Sequence, residues 1–202
     1  MVGAHVAITN GYCSLNQIKA ALRINDAVDD ALLEMAVESA SRMIDSECDR
    51  TFYSVTATRD FTPADAYTVD TDDLTAITSV KIDDQGDRGF RITLATSDYQ
   101  TEPLNQRVSG NPFPIYRLRM IGDYLLPIWG EQATVRIAGT YGFTPVPMAI
   151  TQATIIQSGR IFKRLDSLLG VLGFSDTGVA RVGRVDPDVA ALIRPFKKFA
   201  AA

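Results

Sequence analysis

Apolar positions change their period twice along this chain. In SLNQIKAALRI, starting at Ser14, and in AVDDALLEMAVESASRMIDSECDR, ending at Arg50, they recur every three or four residues, the spacing of a helix with one buried face. Ser14 with Gln17 three residues on has the capping-box pattern, which predicts a first helix through about Leu22. In the second segment, preceded by Asn25 and Asp26, residues Val28, Leu32, Met35, Ala36, Ala40, Met43 and Ile44 form the expected apolar face. Asp29 and Asp30 suit the positive end of that helix.

From Thr51 to Ala138 the pattern shifts to short runs rich in β-branched and aromatic residues: TFYSVTATRDF, AYTVD, ITSVKID, FRITLA, IYRLRMI and ATVRIAG. These predict an antiparallel sheet, with DDQGDRG at 83–89 as a hairpin connection and SGNPFP at 109–114 as a loop. Gly139 and Gly142 are expected to end the last strand, and Pro145 and Pro147 to keep the chain from continuing in the sheet. Helical spacing returns in MAITQATIIQSGRIFKRLDSLL, with Pro147 suited to the first turn and Ile150, Ala153, Ile156, Ile161, Leu165 and Leu168 facing a core. A glycine-containing stretch reads as a tether. A last short helix then begins at Asp186 and Pro187 and stops near Ile193, ahead of Pro195.

The fold class expected is therefore α+β, a helical bundle of two N-terminal helices, one long helix and a short C-terminal helix, with an inserted antiparallel β-rich block. The organisation expected is a flexible N-terminus at 1–13, a helical core from 14–50 plus 146–170, a β-rich insertion at 51–145, and a flexible connection with a C-terminal docking segment at 171–202.

Composition adds limits. The 202 residues are 46% hydrophobic, ample for a packed core, and no apolar run reaches the length of a membrane span. No positively charged leader precedes an apolar stretch at the N-terminus, so the expectation is a cytoplasmic setting with Cys13 and Cys48 as reduced thiols. Charge is unevenly placed: residues 1–145 hold 12 Lys/Arg against 20 Asp/Glu, whereas 146–202 hold 8 against 4. A basic end on an acidic body suits a tail that seeks an acidic partner surface or nucleic acid.

Catalytic chemistry finds little footing. His5 is the sole histidine, which removes the usual general base and metal ligand from the rest of the chain. Asp70, Asp72 and Asp73 form one acidic cluster and Asp83, Asp84 and Asp87 another; the second lacks the ligand order of a calcium loop, and both read as solvated turns. No phosphate-binding glycine motif is present. The expectation is no enzyme, no cofactor and no metal site.

Two readings of the basic end remain. Arg181, Arg184, Arg194, Lys197 and Lys198 could contact phosphates with Phe196 and Phe199 stacking on bases, making the chain a DNA-binding accessory protein. Alternatively, the helical spacing of Val189, Leu192, Ile193 and Phe196 suits docking into a partner's groove, and this reading is preferred.

SLNQIKAALRIN with DDALLEMAVESASRMIDSECDRTF, then SDYQTEPLN, AGTYGFTPVPMAITQA and finally DPDVAALIRPFKKF, in that order, resemble the head-to-tail connector, or adaptor, proteins of long-tailed bacteriophages and prophages. The resemblance implies a structural subunit of a ring, a dodecamer in the virion, set between the portal protein and the tail-side completion proteins. DNA would pass through its channel without specific binding. It implies residence at the head-to-tail joint of the virion, with host cytoplasm as the site of assembly, and no membrane. It further implies portal contact by the C-terminal segment, here Val189, Leu192, Ile193, Arg194, Phe196, Lys197 and Phe199.

Overall fold

The computed structural model describes residues 7–108, 110–165 and 186–198. The expected glycine-containing tether, together with His5, Leu168, Arg181, Arg184 and Phe199, lies outside the described residues. The mixed α+β class is borne out: helices α1 (Leu15–Leu22), α2 (Asp30–Cys48), α3 (Met148–Leu165) and α4 (Pro187–Ile193) accompany a six-stranded antiparallel sheet. No helix among the described residues is long and apolar enough to cross a membrane. The chain divides into two compact units, residues 1–53 with 146–202, and residues 54–145.

Helix ends in the first unit follow local rules. The Ser14 hydroxyl accepts the Gln17 N–H at 3.2 Å while the Gln17 amide oxygen accepts the Ser14 N–H at 2.7 Å, so both free donors at the start of α1 are satisfied. The Asp186 carboxylate caps α4 by accepting the Asp188 N–H, and α4 ends at Ile193 as Pro195 requires. Ile18, Leu33 and Val37 are fully buried in a cluster with Cys13, against which Leu22, Ile155 and Phe162 pack.

Two expectations for this unit are corrected. The buried face of α2 is Leu33, Glu34, Ala36, Val37, Ala40, Ser41, Ile44 and Cys48, so Val28, Leu32, Met35 and Met43 from the expected face are exposed. Apolar residues sit on more than one side of α2, and each set satisfies helical spacing. Residues 7–13, expected to be loose, are instead held. Glu38 accepts the N–H groups of Thr9 and Asn10, Ser41 accepts that of Tyr12, and Tyr12 and Cys13 are buried. Seven irregular residues carry no periodicity from which such anchoring could be read.

In the second unit the strands are β1 (Val55–Phe61), β2 (Thr68–Ile82), β3 (Ile92–Leu94), β4 (Tyr99–Glu102), β5 (Arg107–Val108), β6 (Asn111–Pro112), β7 (Ile115–Met120) and β8 (Val135–Tyr141). The main sheet runs β1-β8-β2-β7-β4, with β3 also paired to β2, while β5 and β6 form a separate two-stranded ribbon, β5 just before the expected 109–114 loop and β6 inside it. AYTVD and ITSVKID are not separate strands: they join into the 15-residue β2, whose pairing shifts register between Asp70 and Leu74, Leu74 and Ala76, and Ile77 and Ser79. Such bulges bend a strand and break its alternation without ending it, so one strand reads as two.

One face of the sheet buries Val69, Leu74, Val80, Leu118, Val135, Ile137 and Tyr141 in the main core. The opposite face carries ion pairs between neighbouring strands. Arg136 makes two parallel bonds to Asp60, at 2.7 and 2.8 Å, and Glu102 sits between Arg117 and Arg119, with Asp70 also on Arg117. Gly139, expected to end β8, lies within it: a Cβ there would come 2.4 Å from the Ala76 carbonyl oxygen, so close strand approach excludes a side chain. The strand ends two residues later, where Gly142 has φ +97°.

Gly139→Ala is expected to lower stability by about 1–3 kcal/mol, read as the shift of a urea-unfolding midpoint, because backbone rather than a flexible side chain must yield. The hydrogen bonds from Arg136 hold the Asp60 carboxyl below the usual carboxylate range. A depressed native value contributes stability above the unfolded value, near 4, and loses it as pH falls through the lower native one. Asp60→Asn should therefore flatten the acid side of the stability–pH curve.

Candidate functional site

The C-terminal segment was expected to carry the partner-binding face. Val189 and Ile193 are instead buried in their own unit, Leu192, Phe196 and Lys197 are half-buried, and Arg194 is exposed. An apolar helical face serves equally to seat a helix on its own chain or on a partner, and spacing does not distinguish the two. Several contacts hold this seat. Phe196 packs edge-on against the buried Phe52 at 5.8 Å, which in turn meets Tyr12 edge-on at 5.6 Å. The Lys198 N–H donates to the Cys48 carbonyl at 2.9 Å, Lys197 pairs with Glu47 at 2.9 Å, and Arg160 on α3 pairs with Asp186 at 2.7 Å.

Of the five cations considered for DNA contact, Arg194, Lys197 and Lys198 are described, and Lys197 is engaged by Glu47.

The acidic clusters are built into the sheet unit. Asp70 pairs with Arg117 and Asp72 with Arg59. Asp83, expected in a solvated turn, is fully buried: its carboxylate accepts the N–H groups of Gln85, Gly86 and Arg88, while Asp87 pairs with Arg91. Asp83 therefore organises the connection between β2 and β3, a task that exposure statistics for aspartate conceal. No group of three or more metal-ligating side chains is assembled among the described residues.

Both thiols are buried, and burial pushes Cys13 and Cys48 up to about 11. At neutral pH they are protonated and poorly nucleophilic.

Two surface features escaped the sequence reading. Leu32 and Met35 on the first turns of α2, and Val28 in the turn before it, are exposed, Val28 at 85%. The connection from β7 to β8 exposes Tyr124, Leu125, Ile128 and Trp129, each at 49–53%. Its legible signal is DYLLPIW, an apolar-aromatic run in a segment without strand alternation, between Gly122 and Gly130, both at positive φ.

Residues 12–110 match the family described as Phage gp6-like head-tail connector protein. That match covers 99 of the 202 residues. The fold also resembles solved chains entitled "Neck of empty GTA particle computed with C6 symmetry" (TM-score 0.61, 16% identity, 98% of this chain and 95% of that one) and "Neck of native GTA particle computed with C12 symmetry" (0.57, 16%, 100% and 97%). A third is "Virion of native gene transfer agent (GTA) particle" (0.58, 17%, 100% and 98%). At these identities the likeness is one of fold. No curated protein matches the chain. The family match runs from the buried Tyr12 through both N-terminal helices into the β5–β6 ribbon, so it spans parts of both units.

The native protein should leave both thiols unlabelled by a neutral-pH thiol reagent such as dithionitrobenzoate, with two equivalents reacting on unfolding. Rapid native labelling would contradict the burial of Cys13 and Cys48.

Proposed function

We propose that the protein is a non-enzymatic head-tail connector, a structural subunit of a tailed-phage or phage-like particle, forming a ring between the portal and the tail-completion proteins, with DNA passing through the channel. The observation that carries this reading is the family match over residues 12–110. The fold likeness over nearly the whole chain to subunits of particle necks with cyclic symmetry supports it. The arrangement adopted is a helical body whose chain is interrupted by the β-rich insertion, with the C-terminal segment returning to that body. DNA-binding by the basic end gains no support from the family match.

Within this reading the C-terminal segment meets the portal. Val189 and Ile193 anchor α4 in its own unit, so the portal-facing groups are the exposed Arg194 and the partly exposed Leu192, Phe196 and Lys197, with Phe199 beyond. A seated helix presenting cations at its rim binds with little ordering cost, and loss of one rim charge is felt chiefly in the rate and salt dependence of association.

The test is imaging of the full chain mixed with its portal. An annular density stacked on the portal is expected; its absence overturns the reading. Arg194→Glu should weaken portal binding roughly ten-fold or more while leaving the unfolding midpoint unchanged, a separation that truncation of α4 cannot give because it uncovers Val189 and Ile193. Unaltered binding by Arg194→Glu would remove the C-terminal segment from the portal contact.

A further inference from the structure

Five asparagines occur in the chain, and only Asn10 is followed by glycine. A peptide nitrogen can attack the side-chain amide carbon of the asparagine before it, and a side chain on the attacking residue obstructs that approach; glycine has none. Asn16 and Asn105 precede glutamine, Asn25 precedes aspartate, and Asn111 precedes a proline, which has no N–H. We propose that Asn10 with Gly11 is a self-modification site, at which Arg42 promotes loss of ammonia and the product loosens residues 7–13 from the helical unit.

The step needs no co-reactant but water. The Gly11 nitrogen bonds to the Asn10 side-chain carbonyl carbon, the bond from that carbon to the amide nitrogen breaks, and the proton lost by Gly11 leaves on ammonia. Water then opens the cyclic imide at either carbonyl, giving aspartate or isoaspartate.

Local structure leaves the reacting groups open. Asn10 and Gly11 are partly exposed and lie outside any helix or strand. Among the described residues neither the Asn10 side-chain amide nor the Gly11 N–H makes a hydrogen bond, so none within the fold has to break before they meet. The chain on both sides is nonetheless held: Glu38 accepts the N–H groups of Thr9 and Asn10 at 2.6 and 3.0 Å, and Ser41 accepts that of Tyr12 at 3.1 Å.

Arg42 supplies the promotion. Its guanidinium donates to the Asn10 backbone carbonyl at 3.0 Å. That carbonyl and the Gly11 nitrogen form one peptide group, so the negative charge left when the nitrogen gives up its proton is shared with the oxygen that Arg42 holds. A fixed cation at the atom where charge develops lowers the cost of developing it. Glu38 bonds to the preceding peptide group, not to this one. Arg42 is kept in place over the Tyr12 and Tyr53 rings, at 5.5 and 5.1 Å from their centroids, and by Asp45 at 3.0 Å.

The product does not fit where the reactant did. Isoaspartate adds a methylene to the main chain just before Gly11, where even a Cβ would stand 2.5 Å from Ile8 and 2.8 Å from Val37. Either product also places a carboxylate on the residue whose N–H the Glu38 carboxylate accepts. Tyr12 and Cys13, buried immediately beyond, are the side chains this uncovers.

The experiment ages the full chain at mildly alkaline pH, native and in urea, and follows the tryptic peptide 1–19 by mass spectrometry. That peptide also holds Asn16, inside α1, as an internal comparison. In the native chain Asn10 should deamidate and Asn16 should not, faster as pH rises. Arg42→Leu should slow the native reaction about three- to ten-fold and leave the rate in urea unchanged. Aged chains should label at Cys13 before Cys48, whereas Asn10→Gln chains aged alike should label at neither. The proposal is overturned by an Asn10 that stays intact in the native chain, by an Arg42→Leu chain that ages natively at the unaltered rate or is slowed equally in urea, or by deamidated chains whose Cys13 remains as protected as Cys48. Should Arg42→Leu expose Cys13 before ageing, Arg42→Gln, which keeps a donor without the charge, provides the same comparison.

Discussion

The helical unit depends on a relay of edge-on aromatic contacts, Tyr12 to Phe52 to Phe196, that joins residues from the start, the first quarter and the end of the chain. Tyr12 ties the relay to the polar surroundings. Its hydroxyl donates to Asp45, accepts the Phe52 N–H at 2.9 Å, and lies 3.2 Å from the Arg42 guanidinium. Burial holds that hydroxyl well above the ordinary tyrosine range, so it remains a donor at any physiological pH. Because Phe52 closes the first pass of the chain through this unit and Phe196 closes the last, the body is complete only when the chain has left, formed the sheet and come back.

The sheet unit solves a different problem. It has one apolar face to bury and an opposite face crowded with charge, and Asp60, Asp70 and Glu102 are each placed across from an arginine on an adjacent strand. Paired in this way, the carboxylates align strands and discourage shifted registers, since a one-residue slip would put like charges together or send arginines into the core.

What the sequence disclosed was local grammar. Ser14 with Gln17, Asp186 with Pro187 and Pro195, and the shift from helical to alternating spacing are decided by a few neighbouring residues, and the helices and sheet appear where those signals predict. Face assignments were less legible. On α2 both Leu32 with Met35 and Leu33 with Val37 satisfy helical spacing, and only tertiary packing selects the second pair for the core. Bulges made the long β2 look like two strands, and the burial of Asp83 depends on backbone donors from a turn whose shape the sequence does not display. For the candidate site, the apolar spacing of α4 pointed to docking on a partner, whereas Val189 and Ile193 are buried in their own unit.

The register of the outer strands carries one more consequence. Val55, two residues into the sheet unit, pairs directly with Tyr141, which lies shortly before the chain leaves it. Departure and return are therefore adjacent doorways, and the helical body needs only a narrow gap bridged between them. A block entered and left through one paired doorway can change length at its far loops without unpairing the strands by which the chain comes and goes.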